Sequence, residues 1–277
     1  MTEKFIVACL QVNAGNELDA NLRVVTELLR AAKERYGAHL VLMPEHVAMM
    51  EWKREDILAG AMPASNHVAL TTFRALAVDF SLWLHCGTLT VQESDGVVVN
   101  RTYVLRPDGE IAAFYDKIHM FDINLGHGLT YQESLTFFPG DRAVVVNTPW
   151  GGLGLSVCYD LRFPQLYRAL AHGGASFLAV PAAFTRITGL AHWHVLLRAR
   201  AIENGCYVFA PAQTGTHLQK RQTYGHSLII DPWGTVLADA GKTAPRLIVA
   251  EVDARRVQWA RDKMPSLRHD RPFALPL

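Results

Sequence analysis

The sequence predicts an α/β chain with two β-sheets packed face to face, each covered on its outer side by helices. Three observations carry this. Strand-like runs outnumber helical ones, and the helices fall between strands that should share a sheet. The same alternation occurs in the first and again in the second half of the chain. Half of the 277 residues are hydrophobic, which suits one large globular domain, or at most two.

In order, Phe5 to Val12 is a β-rich run, and Asn16 to Lys33 reads as an amphipathic helix. Leu22, Val25, Leu28, Leu29 and Ala32 recur at helical spacing there, with Asn16 or Asp19 as its cap. Leu40 to Met43 is a second strand, ending in Pro44-Glu45-His46. His67 to Asp79 is a second helix, with Leu70, Phe73, Leu76 and Ala77 on one face. Ser81 to Thr90 is a strand. Val97 to Leu105 and Ile111 to Tyr115 form a hairpin across Pro107-Asp108-Gly109. Leu153 to Val157 is a strand, Pro164 to His172 a helix stopped by Gly173-Gly174, and Ser176 to Val180 a strand. Leu190 to Asn204 is a helix and Cys206 to Ala212 a strand. His226 to Ile230 and Thr235 to Ala238 flank the turn Asp231-Pro232-Trp233-Gly234, and Leu247 to Val252 is the last strand. Residues 1–252 thus read as one domain. The tail 253–277, charged and carrying Pro265, Pro272 and Pro276, reads as wrapping that domain or a partner copy.

Composition excludes several classes. Lys and Arg total 27 against 26 Asp and Glu, a formal charge of +1, so no basic face for nucleic acid is expected. No apolar run approaches the ~18 residues of a membrane span, and Met1-Thr2-Glu3-Lys4-Phe5 lacks the order of a secretory signal. Cys9, Cys86, Cys158 and Cys206 form no CxxC pair. Free thiols in a reducing cytoplasm are expected.

Chemistry is expected at Gly154-Leu155-Ser156-Val157-Cys158-Tyr159-Asp160-Leu161-Arg162-Phe163-Pro164. Here a buried strand ends and a turn leads into a helix, where open α/β folds place reactive groups. Read alone, Cys158 is equally a small core residue. Glu45 follows an apolar strand, and Lys117 sits amid Phe114, Tyr115, Ile118, Met120 and Phe121. Each read alone is a surface residue. Together they supply what thiol attack on an amide requires: a base, a cation for the oxyanion and an acid for the leaving amine.

Glu45 in Leu-Met-Pro-Glu-His, Lys117 in Tyr-Asp-Lys-Ile-His-Met-Phe-Asp and Cys158 in Ser-Val-Cys-Tyr-Asp-Leu-Arg-Phe-Pro resemble the triad of the nitrilase superfamily of carbon–nitrogen hydrolases. The resemblance runs from Phe5 to the tail. It implies a four-layer αββα sandwich, homodimers or larger assemblies paired through sandwich faces, and no cofactor or metal. It also implies Glu133 as a second active-site glutamate. Ala183 to Trp193 and Arg198 to Asn204 resemble the branch holding omega-amidase and deaminated glutathione amidase, and His217 to Ser227 resembles the latter side. That branch implies hydrolysis of the primary amide of a small 2-oxo acid with release of ammonia through a cysteine thioester. An N-carbamoyl amino acid hydrolase is the neighbouring alternative. The loop Asn124-Leu125-Gly126-His127-Gly128 departs from the family pattern in lacking a proline.

In the implied cycle Glu45 is the base and acid, Lys117 and the backbone N–H of Tyr159 hold the oxyanion, and Arg162 and Thr188 receive the substrate carboxylate. Arg162 reads almost as readily as an ion-pair partner of Asp160 or Glu203. His192 and His194 with Glu203 downstream suggest a metal site, but an HxH pair on a helix does not share a face. A non-enzymatic binding module would require the acid, base and thiol to coincide by chance.

Overall fold

In the computed structural model, which describes residues 3–94, 96–126, 130–218 and 221–274, the strands gather into a nine-stranded sheet, a six-stranded sheet and a two-stranded ribbon. Lys4–Val12 lies inside the larger sheet. It runs parallel to Leu40–Leu42 and to the start of Ala212–His217, and antiparallel to Arg246–Asp253. Trp83–His85, Val97–Leu105, Leu89–Ser94 and Ile111–Asp116 extend this sheet. The smaller sheet holds Val145–Thr148, Gly151–Leu155, Ala175–Ala179, Tyr207–Ala210, Leu228–Ile230 and Val236–Asp239.

Successive side chains of a strand point to opposite faces, and Lys4–Val12 is apolar on both. Phe5, Val7 and Cys9 pack with Leu153, Leu155, Phe177 and Val208 of the smaller sheet. Ala8, Leu10 and Val12 pack instead with Leu22, Val25 and Leu29 of the helix Leu18–Tyr36 and with Leu70 and Phe73 of the helix Val68–Asp79. On the smaller sheet, Leu166 and Leu170 of the helix Pro164–His172 and Trp193 and Leu197 of the helix Arg186–Asn204 complete the burial. This is the four-layer αββα sandwich that the sequence implied.

Several boundaries differ for physical reasons. The first helix begins at Leu18, and neither Asn16 nor Asp19 caps it; Glu17 holds the cap position without a side-chain bond, and Asp19 lies in the first turn. The strand expected over residues 81–90 breaks at Cys86-Gly87-Thr88. Gly87 has φ +60, and a β-carbon there would collide with the Pro44 carbonyl. The strand expected over residues 206–212 is two strands. Pro211 separates Tyr207–Ala210 in the smaller sheet from Ala212–His217 in the larger, and a residue without an N–H suits such a crossing. The helix expected from Leu190 starts at Arg186.

Elements with little periodic signal were missed. These include Arg54–Ala59, which buries no residue, and the ribbon Asp122–Asn124 with Thr130–Gln132. His127 and Gly128 of the loop noted above lie outside the described residues. Beyond residue 252 the chain forms the helix Arg255–Lys263, with Val257 buried in the core. Arg168 bonds Asp270 and donates to the Ser266 carbonyl at 2.7 Å. Residues 275–277 lie outside the described residues.

Candidate active site

Strand ends of both sheets bring the expected groups together. Glu45 follows Leu40–Leu42 and Lys117 follows Ile111–Asp116 in the larger sheet, while Cys158 follows Gly151–Leu155 in the smaller. The break at Gly87 lets the Pro44-Glu45 segment pass, and the Thr88 hydroxyl accepts the His46 N–H at 2.9 Å. Cys158 has φ +49, an uncommon conformation for a residue with a β-carbon, and such strain concentrates at functional sites. Its N–H donates to the Pro181 carbonyl at 2.9 Å.

Asp160, fully buried, holds this turn. It accepts from the Val157 N–H at 2.7 Å, the Tyr115 hydroxyl at 2.7 Å and the His119 N–H at 3.1 Å. The Tyr159 N–H follows at the start of a 3-10 turn over Cys158–Arg162, where the first amides lack partners within the turn. No backbone acceptor faces it among the described residues.

Lys117 Nζ lies 3.0 Å from Glu45 Oε1 and 2.8 Å from each Glu133 oxygen. Glu45 Oε1 also accepts from Asn100 Nδ2 at 3.0 Å, and its Oε2 accepts from the Ala183 N–H at 2.8 Å. Glu133 Oε2 accepts from the Phe121 N–H at 2.7 Å.

Burial works against the charge on Glu45, but Lys117, His46 and a hydrogen bond from Cys158 outweigh it and hold the carboxyl at about 2. Burial likewise opposes the Lys117 charge, yet Glu133 and Glu45 raise its pKa above the usual lysine range. Burial and then the Glu45 charge push the Cys158 thiol well above its ordinary range, with Lys117 opposing. The resting site therefore pairs a neutral thiol with a carboxylate. Proton removal has to accompany nucleophilic attack.

Glu45, Lys117, Glu133, Cys158 and Tyr159 all line one cavity of about 250 Å³, walled by Trp52, Phe121, Tyr131, Phe137 and Phe184 among others. Arg162 and Thr188 are not among its lining residues. The Arg162 guanidinium lies 5.1 Å from the centre of the Phe184 ring and 5.7 Å from that of Tyr159, beside the wall rather than in it. It forms no ion pair with Asp160 or Glu203. Asp160 serves the turn, and Glu203 takes Arg200 at 2.6 Å. The nearest polar partner of Arg162 among the described residues is His192 Nδ1 at 3.2 Å. Thr188 exchanges a hydrogen bond of 2.7 Å with Thr185, which does line the cavity.

Sequence reasoning missed Asn100, the Ala183 amide, Asp160 as the organiser of the turn, and Arg221. Asn100 had a readable signal, a polar side chain within the apolar run Val97–Leu105. His192, His194 and Glu203 do not gather. His194 lies instead with His226 and Asp239, bonded to Asp239 Oδ2 at 3.2 Å.

Comparisons with known proteins give the family and the fold. The family of carbon-nitrogen hydrolases matches residues 6–262. A deaminated glutathione amidase of Synechocystis is 44% identical over 270 residues, covering 96% of this chain and 97% of that one. The NitFhit protein of C. elegans superposes with a TM-score of 0.90 at 35% identity, over 98% of this chain and 66% of that one. Saccharomyces cerevisiae Nit3, of branch 10 of the nitrilase superfamily, superposes with a TM-score of 0.85 at 29% identity over 96% of both chains.

Proposed function

This chain belongs to the carbon–nitrogen hydrolase family, and from that premise we propose that it is a thiol-dependent amidase acting on deaminated glutathione. A hydrolase of small-molecule amides follows from the family. The substrate comes from the name of the Synechocystis relative. The observation that carries the site assignment is Lys117 held between Glu45 and Glu133 in the cavity that Cys158 also lines.

Glu45 takes the Cys158 proton as Sγ bonds to the amide carbon. Lys117 Nζ and the Tyr159 N–H receive the oxyanion, the charge that develops in the transition state. The intermediate collapses, the C–N bond breaks, and Glu45 returns the proton to the departing amine. A thioester remains on Cys158. Glu45 then deprotonates a water that attacks the thioester, releasing the acid and restoring the thiol. Glu133 positions Lys117, while Arg162 acts on the 2-oxo carboxylate from behind the Phe184 wall and Thr188 acts through its bond to Thr185.

One chemical expectation changes with this substrate. Ammonia leaves only from a primary amide. The 2-oxo acid half of deaminated glutathione is joined by a secondary amide to cysteinylglycine, so the departing amine is that dipeptide.

We further propose that the protein pairs through its outer helix layer. Ile187, Leu190 and Val195 of the helix Arg186–Asn204 are 59%, 73% and 67% exposed, an apolar strip of the kind that marks interfaces. A panel of deaminated glutathione, 2-oxoglutaramate, 2-oxosuccinamate and N-carbamoyl amino acids tests the substrate, with both free amine and ammonia measured. The highest kcat/KM is expected on deaminated glutathione; a higher value on any other member overturns that assignment.

A further inference from the structure

Among the described residues, two of fixed positive charge line the cavity, Lys117 and Arg221. Lys117 is neutralised by two carboxylates. Arg221 pairs with no carboxylate among the described residues. Its Nη2 donates to the Ala183 carbonyl at 2.7 Å, and its guanidinium carbon lies 5.8 Å from the centre of the Tyr131 ring. Its buried Nε has no hydrogen-bond partner among the described residues. A donor left unsatisfied on a charged group is expensive unless an anion is meant to meet it.

Distance narrows the anion. The Ala183 backbone links Arg221 to the reaction centre, because its carbonyl accepts from Arg221 at 2.7 Å and its N–H donates to Glu45 Oε2 at 2.8 Å. With ordinary backbone dimensions, the Glu45 carboxylate and the guanidinium lie within roughly 9 Å of each other. Glu45 must stand beside the leaving nitrogen to protonate it. An extended two-residue leaving group reaches about 7 Å from that nitrogen to its terminal carboxylate. A 2-oxo carboxylate lies on the other, acyl side of the scissile bond and needs a different cation.

We propose that Arg221 is a specificity residue that receives the terminal carboxylate of a peptidic leaving group, so the cavity selects 2-oxo acid amides whose amine half is a short peptide with a free carboxylate. The inference rests on the deaminated glutathione reading. Tyr131 and Trp52, in edge contact with ring centres 5.7 Å apart, wall the slot through which that peptide would run.

The test measures kcat and KM for wild type, Arg221→Gln and Arg221→Lys on deaminated glutathione, on its C-terminal carboxamide and on 2-oxoglutaramate. In Arg221→Gln the ratio of kcat/KM for deaminated glutathione to that for 2-oxoglutaramate should fall about 10- to 100-fold, the scale of one charge-assisted contact. The fall should lie mainly in KM, and Arg221→Lys should recover part of it. Wild type should disfavour the carboxamide by a similar factor, and Arg221→Gln should lose that preference. An equal loss on all three substrates would make Arg221 a mere support for Ala183 and overturn the proposal, as would no change in the ratio. Wild type turning over 2-oxoglutaramate but not deaminated glutathione would overturn the substrate reading itself, and this inference with it.

Discussion

Lys117 Nζ and Glu45 Oε1 lie 3.0 Å apart with both side chains 2% exposed, beside a thiol that burial first and the Glu45 charge second push well above its ordinary range. The ammonium is shared with Glu133, so two negative charges face one positive charge. The surplus negative charge favours a protonated Cys158.

The first prediction follows from that thiol. Its pKa is raised by burial and by the Glu45 charge, so the nucleophilic form gains population only as pH rises. Alkylation of Cys158 by iodoacetamide, followed by peptide mass, should accelerate continuously through pH 9. A rate that levels off near pH 6 to 7 would reveal a resting thiolate and contradict the electrostatics.

Replacing the nucleophile should separate chemistry from packing. Cys158→Ala should abolish turnover with little change in Tm, because the thiol is a small group at a strand end. Cys9, Cys86 and Cys206 are fully buried in the core, and their alanine variants should chiefly lower Tm. Activity above the uncatalysed rate in Cys158→Ala would remove it from the mechanism.

Glu45→Gln and Lys117→Met should each reduce kcat/KM by at least ~10²-fold, the scale of losing a general base or an oxyanion donor. Lys117→Met also strands the buried Glu45 carboxylate and the partly buried Glu133, so it should lose about 3–5 kcal/mol of stability. Glu45 adds a pH signature. Its folded pKa is depressed from 4.5 to about 2, so its stabilising contribution is complete above about pH 4.5 and is lost as pH falls towards 2. The Tm gap between wild type and Glu45→Gln should shrink across that window. Near-wild-type turnover in either variant would refute the triad.

Arg162 should act on binding more than on chemistry. It stands beside Phe184 and Tyr159 without a carboxylate partner among the described residues. Arg162→Lys and Arg162→Ala should raise KM on 2-oxo acid amides, costing roughly 1.5–3 kcal/mol or about 10- to 150-fold in kcat/KM. A neutral amide without the carboxylate should respond far less. Equal losses on both would leave Arg162 a structural residue.

The oligomer can be weighed directly. Light scattering at micromolar concentration should give a dimer or larger. Leu190→Arg combined with Val195→Arg should shift the mass towards 30.8 kDa, since the two side chains are 73% and 67% exposed on one outer helix. A wild-type monomer would rule out pairing through this face.

What the sequence determined by itself was the material of each layer and the chemistry at three strand ends. Phe5 to Val12 and Leu40 to Met43 could be read as strands because their residues are mostly apolar and rich in strand-forming types. Glu45, Lys117 and Cys158 stood out because an acid, a base and a thiol beside such strands are costly without a task. Local pattern could not say that residues 72 and 41 positions apart would meet. That meeting depends on the two sheets stacking with those strand ends at a common edge. The tertiary structure also set which charges are satisfied. Arg221 is unremarkable in sequence and becomes informative only where the fold leaves it on the cavity wall without a carboxylate. Asp160, which sequence offered as a partner for Arg162, is instead turned inward. There it accepts from the Val157 and His119 amides, and the second of these, 41 residues away, is brought to it by packing and not by any local pattern.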